Sequence, residues 1–197
     1  TNKIKKTSSN IIHNILEEAK ITITNNTWMD KKTKTSALKK ISSMNIQIGA
    51  PSKYHKINVN LKKETPLLDD ILRLKQASFN NVVKILHRKK DKEYWEMLPQ
   101  EVNAYYSPTN NQIVFPLSLL QKPFFDENNL EISYGAFGCV IGHEITHAFD
   151  NSGCQFDHKG RYKNWWTEDD MVEFDIITEN IKDAYKGCKS HGMHIDT

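Results

Sequence analysis

Residues 141–150 read IGHEITHAFD, with two histidines four positions apart and a glutamate directly after the first. On a helix, positions i and i+4 lie on one face. His143 and His147 can therefore aim imidazole nitrogens at one point, about 2 Å from each, as a zinc ion requires. Glu144 sits beside the first ligand without being one. Zinc lowers the pKa of a bound water towards ~7, and a neighbouring carboxylate can take that proton and return it to a leaving amine. The pattern is short enough to arise by chance, and its bland alternative is an exposed helix with two ordinary histidines. Val140, Ile141, Ile145, Ala148 and Phe149 surround the trio with apolar side chains, and polar groups on such a helix are buried only for a reason. Asp150, three residues past His147, is placed to orient a ligand imidazole through a hydrogen bond. Its alternative reading is an ordinary residue of the helix's last turn.

Catalytic zinc takes three protein ligands plus water. The longer H-E-x-x-H-x-x-G-x-x-H pattern is excluded, because Asp150 and Gly153 stand where its glycine and last histidine belong. His158, His191 and His194 bear no helical relation to the pair. Glu179, in TENIKD, is the one tempting carboxylate.

Several elements must position this site. Ile11, Ile12, Ile15, Leu16 and Ala19 recur at helical spacing, and a second helix is expected from about Lys31 to Met44, with Ala37, Leu38, Ile41 and Met44 on one face. Gly49-Ala50-Pro51 breaks it. A long helix is expected from Thr65-Pro66, with Asp69 and Asp70 in its first turns and an apolar face of Leu68, Leu72, Lys75's stem, Phe79, Val82, Val83 and Leu86. Val102–Tyr106 and Gln112–Phe115 read as a β-hairpin around the turn residues 107–111. Tyr134 to Phe149 is expected to be one helix, stopped by Asn151-Ser152-Gly153. Asp157-His158-Lys159-Gly160 reads as a turn, and Thr167 as the cap of a last helix through Tyr185.

Composition sets limits. With 197 residues, 38% hydrophobic and 26% charged, the chain suits an ordinary globular domain. A net charge of +3 is too small to argue for nucleic acid. The stretch His87-Arg88-Lys89-Lys90 runs straight into Asp91 and Glu93 and reads as a solvated helix end. No apolar run approaches the ~18–20 residues that span a bilayer, and the first residues, TNKIKKTSSN, have no signal-peptide h-region. Without an initiator Met the chain reads as an excised piece, with any localisation signal expected upstream. Cys139, Cys154 and Cys188 lack C-x-x-C spacing and leave at least one unpaired. They read as buried or free thiols, or as partners of cysteines outside the segment. An N-x-T sequon at Asn25-Asn26-Thr27 matters only in a secreted protein.

Taken together, these residues resemble the neprilysin and endothelin-converting-enzyme family of zinc metallopeptidases nearly end to end. WMDKKTKTSALKKISSMNIQIGAP (28–51), VNAYYSPTNNQIVFP (102–116) and YGAFGCVIGHEITHAFDNSGCQFDHKGRYKNWWT (134–167) carry the likeness. It implies an α+β, mainly helical, zincin-like fold with a small β-sheet or hairpin and an HExxH active-site helix. Residues 1–62 would be a helical segment leading into the catalytic region. Residues 63–197 would be the N-terminal part of the metallopeptidase domain, ending before the third zinc ligand. The implied roles are zinc ligands for His143 and His147, general base for Glu144, and substrate binding for Asn103 and Ala104. An edge strand with free backbone groups can indeed pair with an extended peptide. Phe124 and Val140 match positions near the pocket for the residue after the scissile bond; read without the resemblance, both are plain core.

TENIKD shares letters with the family's G-E-N-I-A-D motif, but no Gly precedes Glu179 and the segment comes too soon after Trp165-Trp166. Glu179 is therefore expected on a helix surface, and the third ligand after Thr197. The implied protein is a zinc-dependent endopeptidase cleaving short peptides before hydrophobic residues, with one Zn2+ per site. It would work outside the cell, anchored by a membrane segment not in this chain, and this piece alone would be inactive. The alternative is a non-catalytic member that binds peptides or a partner.

Overall fold

The computed structural model describes residues 2–54, 57–61, 63–86 and 91–195. Helix α1 (Asn2–Asn25) buries Ser8, Ile11, Ile12 and Leu16, the face that the sequence spacing marks as apolar. Helix α2 (Lys31–Ser42) starts on Asp30, whose carboxylate accepts the Thr33 N–H and satisfies one of the unpaired donors of the first turn. Its buried face is Thr33, Ala37, Lys40 and Ile41.

Residues 45–49, expected only as the approach to a break, form strand β1 (Asn45–Gly49). It pairs in parallel with β3 (Gln112–Pro116), which pairs antiparallel with β2 (Tyr105–Ser107), giving the order β1-β3-β2. β3 is central and every one of its residues is buried. β2 is an edge strand. The expected hairpin is present, with its first strand shortened to three residues.

Helix α3 (Leu67–Leu86) begins one residue after Pro66 and carries Asp69 and Asp70 in its first turn. Its apolar stripe is exposed, with Leu68 at 66%, Phe79 at 63% and Leu86 at 75%. None of its described side chains is buried. The basic stretch His87-Arg88-Lys89-Lys90 lies outside the described residues.

The single helix expected over 134–149 is two, α4 (Leu130–Gly135) and α5 (Phe137–Thr146). The break has a hydrogen-bond cause: the Ala136 N–H bonds to Ile132 O, but the Phe137 N–H is diverted to Phe124 O in the preceding loop. α5 also ends three residues early. The Ala148 and Phe149 N–H groups take the i−3 carbonyls of Ile145 and Thr146, which tightens the last turn. A 3-10 turn at Gly153–Gln155 and the expected turn at Asp157, closed by Gly160 N–H to Asp157 O, lead to α6 (Glu168–Tyr185). Thr167 caps α6 as its sequence predicts. A short hairpin of β4 (Lys189–Ser190) and β5 (Met193–His194) follows.

Ile11, Ile12 and Leu16 of α1, Ile41 of α2, Ile113 and Phe115 of β3, and Phe137, Ile141 and Ile145 of α5 form one core. Elements from 1–62 and from 63–197 thus meet in it. Phe137 is held edge-on by Phe115 and Phe125, at ring centroid distances of 5.3 and 5.9 Å. Full burial of Ile141 is worth about 2 kcal/mol, so the core clamps α5 along its whole length. On the far side, Trp28 stacks on Trp166 at 5.9 Å, and the Asp30 N–H donates to the Asp170 carboxylate. That contact ties α6 to the start of α2. The three cysteines form no disulfide with one another; Cys154 is buried, and Cys139 and Cys188 are exposed.

Candidate active site

The faces of α5 sort by spacing. Phe137, Ile141 and Ile145 point into the core, and Glu144 is buried beside them. His143 is exposed and His147 half-buried. The two imidazoles meet with Nε2 atoms 3.0 Å apart and rings nearly perpendicular. His147 Nδ1 donates to Asp150 Oδ2 at 2.7 Å. Asp150 Oδ1 in turn accepts the Ser152 and Gly153 N–H groups, at 2.9 and 2.7 Å. The tight end of α5 therefore has a use: it brings Asp150 back under His147.

A cleft of about 350 Å³ opens over these residues, lined by Asn103, Ala104, Tyr105, Tyr106, Pro108, His143, Glu144, His147 and Asp150. The edge strand β2 and the two residues before it form its other wall. Burial pushes the Glu144 carboxyl above the usual glutamate range, opposed by His147, His143 and the backbone N–H of Tyr106, which faces it from β2. Glu144 Oε2 is buried with no hydrogen-bond partner among the described residues. Burial also acts to raise Asp150, but the Gly153 N–H, the His147 imidazole and the Ser152 N–H outweigh it and hold the carboxyl low. Asp150 is thus an anion that fixes the Nδ1–H tautomer of His147 and leaves Nε2 its lone pair.

Most residues singled out in the sequence come together here: His143, Glu144, His147, Asp150, Asn103 and Ala104 share one cleft. Asn103 Oδ1 accepts the Ala104 N–H at 3.0 Å. Phe124 and Val140 do not line the cleft; both are half-buried against the core. Glu179 is on the surface of α6, paired with Lys182 at 2.6 Å. Tyr105, Tyr106 and Pro108 went unremarked in the sequence as cleft residues, though they belong to the same hairpin as Asn103.

The donor set fits zinc. Two nitrogens bound at about 2.0–2.1 Å to a tetrahedral ion lie roughly 3.3 Å apart, close to the 3.0 Å between the two Nε2 atoms. Two converging imidazole nitrogens and an orphaned buried carboxylate oxygen are stable neighbours around a cation. Among the described residues, His143, Glu144 and His147 are the group whose potential ligand atoms all lie within 4.8 Å of one another.

The fold is shared with zinc metallopeptidases of known structure. A zinc metalloprotease of Mycobacterium tuberculosis, crystallised with an inhibitor, superposes with a TM-score of 0.88 at 34% identity, covering 95% of this chain and 29% of that one. PepO from Lactobacillus rhamnosis gives 0.90 at 30% identity, covering 98% and 31%. The α+β, mainly helical architecture with its HExxH helix is that of a zincin-like metallopeptidase. Two family models described as Peptidase family M13 match residues 1–51 and 103–195. The chain belongs to this family, the neprilysin and endothelin-converting-enzyme family of zinc metallopeptidases. Neprilysin-3 of Drosophila melanogaster is 36% identical over 98% of the chain and 25% of its own length. The endothelin-converting enzyme homolog of Locusta migratoria is 34% identical over 98% and 28%. The chain therefore spans about a quarter of the length of the curated relatives it matches.

Proposed function

We propose that the intact protein carrying this chain is a zinc-dependent metalloendopeptidase that hydrolyses short peptides. The observation that carries this reading is one cleft holding two convergent imidazoles, a buried unpartnered carboxylate oxygen and an edge strand. His143 and His147 would hold the zinc through Nε2, with Asp150 locking the His147 ring. A bound zinc supplies Lewis-acid polarisation of a water and of the scissile carbonyl. Glu144 Oε2 accepts a proton and returns it to the leaving amine. Its raised affinity for protons suits both halves of that exchange. Asn103 and Ala104 present amide and backbone groups along the edge of β2, where an extended peptide would lie antiparallel. Because Glu144 serves as base, the reading requires a third protein ligand from outside this cluster. A preference for hydrophobic residues after the scissile bond rests on the family resemblance. The same resemblance supports a site of action outside the cell. No described helix is long and apolar enough to cross a membrane.

Metal removal tests this directly. Dialysis of the intact protein against a chelator should reduce cleavage of a fluorogenic peptide to background, and one equivalent of Zn2+ should restore it. Undiminished cleavage by verified metal-free protein would refute the proposal. Stoichiometric zinc without cleavage would point instead to a binding protein.

A further inference from the structure

Lys40 is fully buried, and its ammonium has no carboxylate within 4 Å among the described residues. A charge in that position is unfavourable unless every donor is satisfied. All three are. Lys40 Nζ donates to Ala148 O and Gly153 O at 2.6 Å each and to Phe156 O at 2.7 Å. The rings of Tyr106, Phe149 and Trp165 lie 5.8, 5.7 and 5.6 Å away, within cation–π range. Burial lowers the ammonium to about 8, with Cys154, Asp150 and Asp157 pulling the other way, so it is charged at neutral pH. Filling the core would need only Met or Leu. A buried cation that spends every donor on backbone carbonyls points to a more specific task.

The carbonyls identify it. Ala148 directly follows the proposed ligand His147, and Gly153 opens and Phe156 caps the 3-10 turn beyond Asp150. The ammonium therefore staples both ends of the loop that contains Asp150. At Gly153 the link is direct: its C=O is held by Lys40 and its N–H is held by Asp150. Asp150 holds His147. Lys40 also reaches the other side of the cleft. Its own carbonyl accepts from Asn111 Nδ2 at 2.9 Å, and Asn111 Oδ1 accepts from the hydroxyl of Tyr106 at 3.0 Å. Tyr106 is the residue whose N–H faces Glu144.

We propose that Lys40 is a positioning residue of the zinc site: its ammonium fixes the 148–156 loop so that Asp150 holds His147 in its metal-binding orientation. The inference rests on the zinc reading above. Lys40→Met in the intact protein tests it, with Zn2+ affinity read by competition against a chromophoric chelator. The expected result is a Kd raised roughly 10- to 100-fold, the range for losing an outer partner of a metal ligand. In an Asp150→Ala background the same change should raise Kd less than about threefold, because the route through Asp150 is already cut. A purely structural lysine would instead weaken zinc equally in both backgrounds, and that result overturns the proposal, as does wild-type affinity in Lys40→Met. Lys40→Gln keeps two of the three donors and covers the case in which the Met variant does not fold. It should fall between wild type and Asp150→Ala in zinc affinity, and wild-type affinity there is equally fatal. If the wild-type protein itself binds no stoichiometric zinc, the zinc reading fails rather than the role of Lys40.

Discussion

Glu144→Gln in the intact protein should cut peptide turnover by orders of magnitude and leave zinc bound. Glutamine has the same shape as glutamate, but its amide cannot take up a proton at neutral pH. The proposed metal donors are the two Nε2 atoms of His143 and His147, 3.0 Å apart, and the substitution touches neither. General acid–base groups contribute about 10²–10⁴ in rate. In the proposed mechanism Glu144 acts in both directions of the proton transfer, so a fall in kcat at the upper end of that range is expected. Stability should not suffer. Burial raises the Glu144 carboxyl, so the ionised form is held at some cost above the ordinary glutamate pKa, and the neutral amide is relieved of it. Three measurements on one sample check this: kcat, bound zinc and the thermal midpoint. Cleavage within tenfold of wild type would remove Glu144 from the mechanism.

Gly153→Ala should be nearly as severe, for a purely steric reason. A Cβ at Gly153 would lie 1.8 Å from the His147 carbonyl oxygen and 2.9 Å from the Ala148 carbonyl carbon. Both obstacles are backbone, so no rotamer change relieves them. Either the end of α5 moves, taking His147 with it, or Gly153 retreats and breaks its bonds to Asp150 and Lys40. We expect a loss of roughly 3 kcal/mol or more, read as a lower guanidinium midpoint, together with weakened zinc binding. Wild-type stability and zinc affinity in this variant would show that the 148–153 turn is not the rigid element described.

Helical periodicity made the inner part of the site legible. His143, Glu144 and His147 lie within five residues of one helix, and their relation follows from helical geometry. Asn103 and Ala104 were legible only through the hairpin motif, because nothing local says which strand faces a cleft. β1 was missed although Met44, Ile46 and Ile48 alternate with Asn45 and Gln47: the run is short, it follows directly on a helix, and its partner is distant, with Asn45 opposite Gln112. The early end of α5 was missed for a related reason: the segment just past it is held by Lys40, which bonds the Ala148 carbonyl from 108 residues away in sequence. Lys40 itself could have been suspected. Positions 33, 37, 40, 41 and 44 trace one helical face, and the others on it are buried. A lysine reads as solvent-exposed by habit, and that habit hid it. Phe124 and Val140 were matched by resemblance alone; here they pack half-buried against the core.

The central claim is that His143 and His147 jointly hold a zinc ion beside Glu144. Anomalous scattering at the zinc edge, from crystals of the intact protein with Zn2+, tests it most directly. The expected map has one peak at about 2.0–2.1 Å from Nε2 of both histidines, with His147 Nδ1 still bonded to Asp150 and Glu144 outside the coordination shell. A peak that bridges other residues, or that takes Glu144 as a direct ligand, would contradict the account.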